Sequence, residues 1–246
     1  MRLRVRHLHF ERAAFLCIVL AAALVSRATA QSDNAALERV LTQMDSAAKD
    51  FRSVEANFVW DQYTKIVKDT DTSKGTVYFQ REGKEINMAA DIAADTAAKP
   101  PTPPKYVLFA DGKVQMFEPN IDQVTIYKTG KNRADVESFL VLGFGGPGHD
   151  LAKSYHVNYL GTEKIDGVDT AKLELIPKSP KALAQFPRIL LWIDPARGIS
   201  VQQQLFQTSG DYRLAKYSKI QINQKLPDGV FKLKTTGKTT YLTPQG

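Results

Sequence analysis

From Ser53 almost to its end the chain alternates apolar and polar residues with a period of two, which excludes most architectures. Val54, Ala56, Phe58 and Trp60 fall on one face of a strand, and Glu55, Asn57 and Asp61 on the other. The pattern returns at Val77 and Phe79, at Ile86 and Met88, and from Tyr106 to Ala110, where Asp111-Gly112 leads into a strand carrying Val114 and Met116. Further strands are expected at Gln123 to Tyr127, Tyr155 to Gly161, Thr170 to Ile176, Ile189 to Ile193, Ile199 to Gln207, Arg213 to Ile222 and Val230 to Lys234. Asp166-Gly167 and Ser209-Gly210-Asp211 read as hairpin turns. Sequential strands without long helical crossovers predict a mainly β chain, an antiparallel meander long enough to curve strongly or approach a barrel.

One helix precedes the meander. Leu37, Val40, Leu41, Met44, Ala48 and Phe51 recur at three- and four-residue steps, with Ser32 or Asp33 available as N-cap. Three segments interrupt the strands. Ala93 to Pro104 carries four prolines and reads as an extended surface loop, because each proline removes an amide donor. Ala134 to Asp150 joins the apolar run Phe139-Leu140-Val141-Leu142 to a glycine cluster, and Ser179 to Pro187 offers a short helical turn.

The first thirty residues read as an export leader. Arg2, Arg4, Arg6 and Arg12 precede an apolar run from Ala13 to Val25, and Ala28-Thr29-Ala30 supplies the small-x-small pattern of a signal-peptidase site. The run falls short of the roughly 20 residues that span a bilayer. Residues 1–30 are therefore expected to be removed, leaving 31–246 as a single periplasmic domain. The leader holds five of the 33 basic residues and one of the 26 acidic ones, so its removal lowers the net charge from +7 to +3. That weak bias gives nucleic-acid binding no support. The one cysteine, Cys17, leaves with the leader, so neither a disulfide framework nor a thiol nucleophile is expected.

Several motifs imitate chemistry without its context. Gly143, Gly145 and Gly148 spell G-x-G-x-x-G, but strand-like residues resume after Ser154, and a parallel crossover needs a dozen residues or more. A hinge beside an apolar lid is the better reading. Asp69-x-Asp71-x-Ser73 begins like a calcium loop but has Lys74 at the sixth position and Gln80 at the twelfth, so a polar hairpin tip is expected. His149 and His156 lack the partners of a zinc site, and no serine sits in a nucleophile elbow. No catalytic residue, metal or cofactor is predicted, and the chain reads as a non-enzyme.

Arg81 does not fit its face. Extending the alternation from Val77 and Phe79 points its cation toward the apolar interior, where an unpaired charge costs several kcal/mol. Either a bulge or strand end turns it outward, the preferred reading of the residues alone, or it reaches polar groups across the cavity.

At this point the chain resembles a known family. The leader, the amphipathic helix, Ala56-Asn57-Phe58 leading to Gln62, Gly75-x-Val77-x-Phe79-x-Arg81, Ala110-Asp111-Gly112-Lys113 with Phe117-Glu118-Pro119, and Asp122-Gln123-Val124 together are similar to the LolA-type periplasmic carriers of outer-membrane lipoproteins. Pro177, Ile193-Asp194 and Val230-Phe231 follow in the same order. Glu82 departs from the pattern, standing where the family has proline, and Ala93 to Pro104 lengthens the next hairpin.

The resemblance implies an incomplete antiparallel barrel whose helices cover an apolar cavity for acyl chains. It implies a cavity lined by Val54, Phe58, Trp60, Val77, Phe79, Ile86, Met88 and Met116, and a lid carrying Val136, Phe139, Leu140 and Leu142. Arg81 matches the family's lid latch. The expected role is a monomeric carrier of acylated lipoproteins from an inner-membrane lipoprotein-releasing transporter to an outer-membrane acceptor, with no nucleic acid involved. The alternative is a lipid-binding or envelope-stress sensing module of the same fold.

Overall fold

A computed structural model describes residues 33–83, 85–128 and 142–244. Helix α1 spans residues 33–50 and buries Val40, Leu41, Met44 and Ala48, the stripe its spacing predicts. Six strands follow: β1 Ser53–Thr64, β2 Asp69–Glu82, β3 Glu85–Ile92, β4 Lys105–Ala110, β5 Lys113–Glu118 and β6 Gln123–Lys128. Helix α2, Gly148–Ser154, runs into β7 Tyr155–Ile165 and β8 Val168–Pro177; helix α3, Pro180–Gln185, leads to β9 Arg188–Asp194, β10 Ile199–Phe206 and β11 Tyr212–Ile222. The short β12, Thr240–Leu242, comes last.

All twelve strands form one sheet in the order β12-β6-β5-β4-β3-β2-β1-β11-β10-β9-β8-β7. It is open: β12 and β7 are its two edges. Every pairing is antiparallel except β12 with β6. The meander is thus two hairpin-linked halves joined where β1 pairs with β11, which makes the fold class the expected mainly β, incomplete barrel with helices against one face. The turns match their residues: Asp111-Gly112 and Asp166-Gly167 all have positive φ, as hairpin turns of this kind require.

The two faces of the sheet are buried differently. The inner face of β7–β10 packs against α1, where Val40, Leu41 and Met44 meet Leu173, Leu175, Ile189, Leu191 and Ile193. The inner face of β1–β4 forms a second cluster around Val54, Phe58, Val77, Phe79, Met88 and Phe109. On the outer face, Trp192 donates its indole N–H to Glu163 Oε2 at 2.9 Å and carries the Lys172 ammonium 4.7 Å above its ring.

The C-terminal segment departs from the expected strand at Val230 to Lys234. Residues 223–239 contain turns and no strand, and the segment flanks clefts on the outer face lined by Asn87, Tyr106 and Phe117. The reason is topological: β1 and β11 are already paired on both sides, so the chain leaving β11 can add a strand only at an outer edge of the sheet, and it does so beside β6. There Asp122 accepts hydrogen bonds from the Thr236 and Thr239 hydroxyls at 2.5 and 2.6 Å, just before β12.

The tip of the β1–β2 hairpin is also different from expectation. Asp69, Asp71 and Ser73 lie within β2, and the tip is Lys65-Ile66-Val67-Lys68, with Ile66 90% and Val67 67% exposed. The proline-rich segment is a loop between β3 and β4, pinched by paired Asp95 and Thr102. Among the described residues no helix is long and apolar enough to cross a membrane, and the leader lies outside them.

Candidate functional site on the inner face

The inner face is set by strand register. Val54 pairs with Phe79 and Phe79 with Met88, while Ala56 pairs with Val77 and Arg81 with Ile86, so these side chains share one side. The alternation of β1 continues through Phe58, stacked 4.1 Å from Trp60. Seven of the eight expected cavity residues, Val54, Phe58, Trp60, Val77, Phe79, Ile86 and Met88, belong to one apolar cluster. Met116 lies on the same face by register, through Val107 on β4, but is half-buried and outside the cluster. Val136, Phe139 and Leu140 lie outside the described residues. Leu142 is buried with α1 in the other cluster.

The residue that fills this face is Phe144, which the sequence reading did not single out. It is 1% exposed, stacks on Phe79 with ring centres 4.4 Å apart, and meets Tyr217 edge-on at 4.7 Å. Phe51, from the end of α1, completes the plug. The one available signal was an aromatic residue flanked by glycines, which follows an apolar run too closely to stand out.

The glycines of the G-x-G-x-x-G run explain how Phe144 is delivered. Gly143 and Gly145 have φ near +76° and +74°, where side-chain-bearing residues are strained. An added Cβ at Gly143 would lie 2.5 Å from the Ser200 Cβ, one at Gly145 would overlap the Phe51 ring, and one at Gly148 would lie 2.5 Å from the Leu41 carbonyl oxygen. The run is therefore a close-packed bend, and the loose hinge expected there gives way to backbone held against β10 and α1.

Hydrogen bonds hold that bend. Ser200 N–H donates to Gly143 O at 2.8 Å and the Gln203 amide to Leu142 O at 2.5 Å, both from β10. Arg81 continues the β2–β3 register with no bulge, so the outward turn preferred from the residues alone is corrected. Its Nη2 donates to Gly145 O at 2.5 Å, and its guanidinium lies 5.7 Å from the Phe51 ring centre. The Nε is buried without a hydrogen-bond partner among the described residues. The Gly145 carbonyl supplied by the bend is what allows a cation on an apolar face.

Below the bend, His149 bridges α2 and α1. Its Nδ1 meets Asp45 Oδ2 at 2.5 Å, its Nε2 meets Glu38 Oε2 at 3.1 Å, and its backbone N–H donates to Asp45 Oδ1. The hydrogen bond with Asp45, followed by that with Glu38, raises the His149 pKa above its ordinary 6.5. Burial pushes the Asp45 carboxyl up, but its hydrogen bonds and charge attraction with His149 outweigh this and hold it below 3.8. Among the described residues no three His, Cys, Asp or Glu are grouped to hold a metal ion. The site offers an apolar surface and an arginine bonded to the bend that carries Phe144.

Comparison with known proteins bears on the fold. An uncharacterized protein from Thermus thermophilus superposes with a TM-score of 0.52 at 10% identity, covering 84% of this chain and 98% of its own. MucB superposes with a TM-score of 0.51 at 13% identity, covering 85% of this chain and 66% of MucB. A LolA superfamily protein from Nitrosomonas europaea aligns over 80% of this chain and 97% of its own at 16% identity, with a TM-score of 0.40. The open twelve-stranded sheet with helices on its inner face is the expected half-barrel. The chain shares the fold of MucB and of the Thermus thermophilus protein. At these identities the likeness is one of fold. A family profile described only as "-like: Uncharacterized protein" matches residues 147–224, and no curated protein matches the chain. MucB has also been crystallised in complex with periplasmic MucA.

Proposed function

We propose that the protein is a periplasmic carrier that takes the acyl chains of lipoproteins onto the inner face of its half-barrel and moves them between the inner and outer membranes. The observation that carries this reading is the Phe144 plug: an apolar face stopped by one aromatic side chain whose segment is tied down by a few hydrogen bonds. An acyl chain in water carries a transfer penalty of about 0.8 kcal/mol per CH₂, so a lipoprotein crossing an aqueous compartment needs a container. It must also be released, which calls for a closed empty state that competes with the ligand. Phe144 is such a competitor. Arg81, through Gly145 O, is the latch that favours it, and Val136, Phe139, Leu140 and Leu142 supply the lid. The donor is an inner-membrane transporter and the recipient an outer-membrane acceptor.

The likeness to MucB favours a second reading, in which the same face binds free lipid and the domain reports on the envelope through a regulatory membrane protein. Native mass spectrometry of protein purified gently from its periplasm separates the two. Triacylated lipoproteins among the extracted ligands support the carrier, and free lipids with a co-purifying regulator support the sensor. A protein that is empty and captures no acylated ligand refutes both.

A further inference from the structure

The inner face changes character along β1 and β11. At one end it is apolar, with Val54 and Phe79 beside the Arg81 latch. Toward the other end the register brings Phe58 opposite Tyr217, Trp60 opposite Ala215 and Gln62 opposite Arg213. Arg213 also faces the buried Leu205 on β10, so it stands on the inner side of the rim, between an apolar neighbour and an amide. Its Nε donates to Gln62 Oε1 at 3.2 Å, it forms no ion pair among the described residues, and it stays open to solvent. Crowding by surrounding groups pulls its pKa below the ordinary value, and no carboxylate offsets this. The nearest acid in register, Asp71, lies across Gln62 on β2, one strand further away. Diagonal to Arg213, the Trp60 indole N–H is buried with only a weak contact to the Tyr217 hydroxyl, short of full hydrogen-bond geometry.

A guanidinium without an anion and an indole N–H with only a weak acceptor thus stand diagonal to each other at the end of an apolar track. Each lacks what an oxyanion supplies. We propose that Arg213 and Trp60 form a head-group subsite for an anionic amphiphile, whose phosphate or carboxylate sits at the rim while its acyl chain runs past Phe58 toward Phe79. This rests on the inner face being the acyl-binding surface, and it adds polarity and direction: the ligand enters tail-first from the Arg213 end, opposite the latch.

The test uses the mature protein purified from cells that express it and stripped of lipid. Binding of four probes is measured by calorimetry below micellar concentrations: myristoyl lysophosphatidylglycerol, myristate, neutral monomyristoylglycerol and inorganic phosphate. Tryptophan fluorescence follows the same titrations, and its difference between wild type and Trp60→Phe isolates Trp60 from Trp192. The two anionic amphiphiles are expected to bind at least about tenfold tighter than the neutral one, the worth of one charge-assisted hydrogen bond. Arg213→Gln should erase that preference without changing affinity for monomyristoylglycerol, Arg213→Lys should keep part of it, and Trp60→Phe should reduce it. Circular dichroism of each variant checks the fold, and the lysine and phenylalanine variants decide the matter if the glutamine variant does not fold. Equal binding of charged and neutral amphiphiles, a preference that survives Arg213→Gln, or inorganic phosphate binding as tightly as the lysolipid overturns the head-group subsite alone. Failure of every amphiphile to bind overturns the acyl-binding surface with it.

Discussion

Replacing Arg81 by leucine should tighten acyl binding while leaving the protein folded. The substitution removes the hydrogen bond from Nη2 to Gly145 O, worth roughly 1.5–3 kcal/mol as a bond made by a charged donor. It also removes a contact with the Phe51 ring worth roughly 0.5–1 kcal/mol. Against this, leucine relieves a half-buried cation whose Nε has no partner, a penalty of roughly 1–3 kcal/mol. The net change in global stability therefore runs from a gain of about 1 kcal/mol to a loss of about 3 kcal/mol, which a domain of this size tolerates. In the proposed carrier, however, the closed state loses its latch, whereas the open state loses only a solvated side chain. A latch worth about 1–2 kcal/mol shifts the open population, and with it the apparent acyl affinity, by about 5- to 30-fold. Competition with a fluorescent fatty acid should show that gain together with a proportionally slower off-rate. Hydrogen exchange should quicken at the backbone amides near Gly145. Unchanged affinity with unchanged exchange would refute the latch.

Three further predictions concern the plug and its mounting. Phe144→Ala should cost about 3–5 kcal/mol in urea denaturation, as for a buried aromatic side chain, with Phe144→Leu recovering most of it; a loss below about 1 kcal/mol would mean that Phe144 is not packed on Phe79. Gly145→Ala should destabilise more than Gly146→Ala, because Gly145 combines positive φ with contact to Phe51 and an added Cβ at Gly146 meets nothing; thermal melts showing the reverse order would contradict the close-packed bend. His149 should titrate above 6.5 by NMR and return toward 6.5 in Asp45→Asn. Its raised folded pKa makes its contribution full below 6.5 and lost as pH rises through the folded value. The depressed Asp45 contributes above 3.8 and loses its contribution as pH falls through its own folded value, so the α1–α2 tie is strongest between the two.

Much of this architecture was readable from residue order. Val54 to Trp60 and Val77 to Phe79 alternate strongly, so their strands and buried faces follow from one period, and Asp111-Gly112 and Asp166-Gly167 mark their turns by residue type alone. Val230 and Phe231 carried the same apolar signal but form no strand, because an alternating pattern reports a wish for burial and not the availability of a free edge. Arg81 was legible as an anomaly but not in its resolution. Its acceptor is a carbonyl 64 residues away on a bend whose path depends on β10, α1 and three glycines. Phe144 and Tyr217 escaped notice for the same reason: their partners lie on strands distant in sequence.

The sequence by itself determined what is local: the meander and its hairpins, the amphipathic first helix, and which side of most strands seeks burial. These follow from side-chain periodicity and turn stereochemistry, which act over a few residues. Only the tertiary structure decided that the sheet stays open, that β1 and β11 join its halves, that Phe144 stops the inner face, and that Arg81 and Arg213 stand at opposite ends of one track. Those facts arise from pairings between segments far apart in the chain, whose energy depends on register, close approach and the hydrogen-bond partners left over when the sheet has formed.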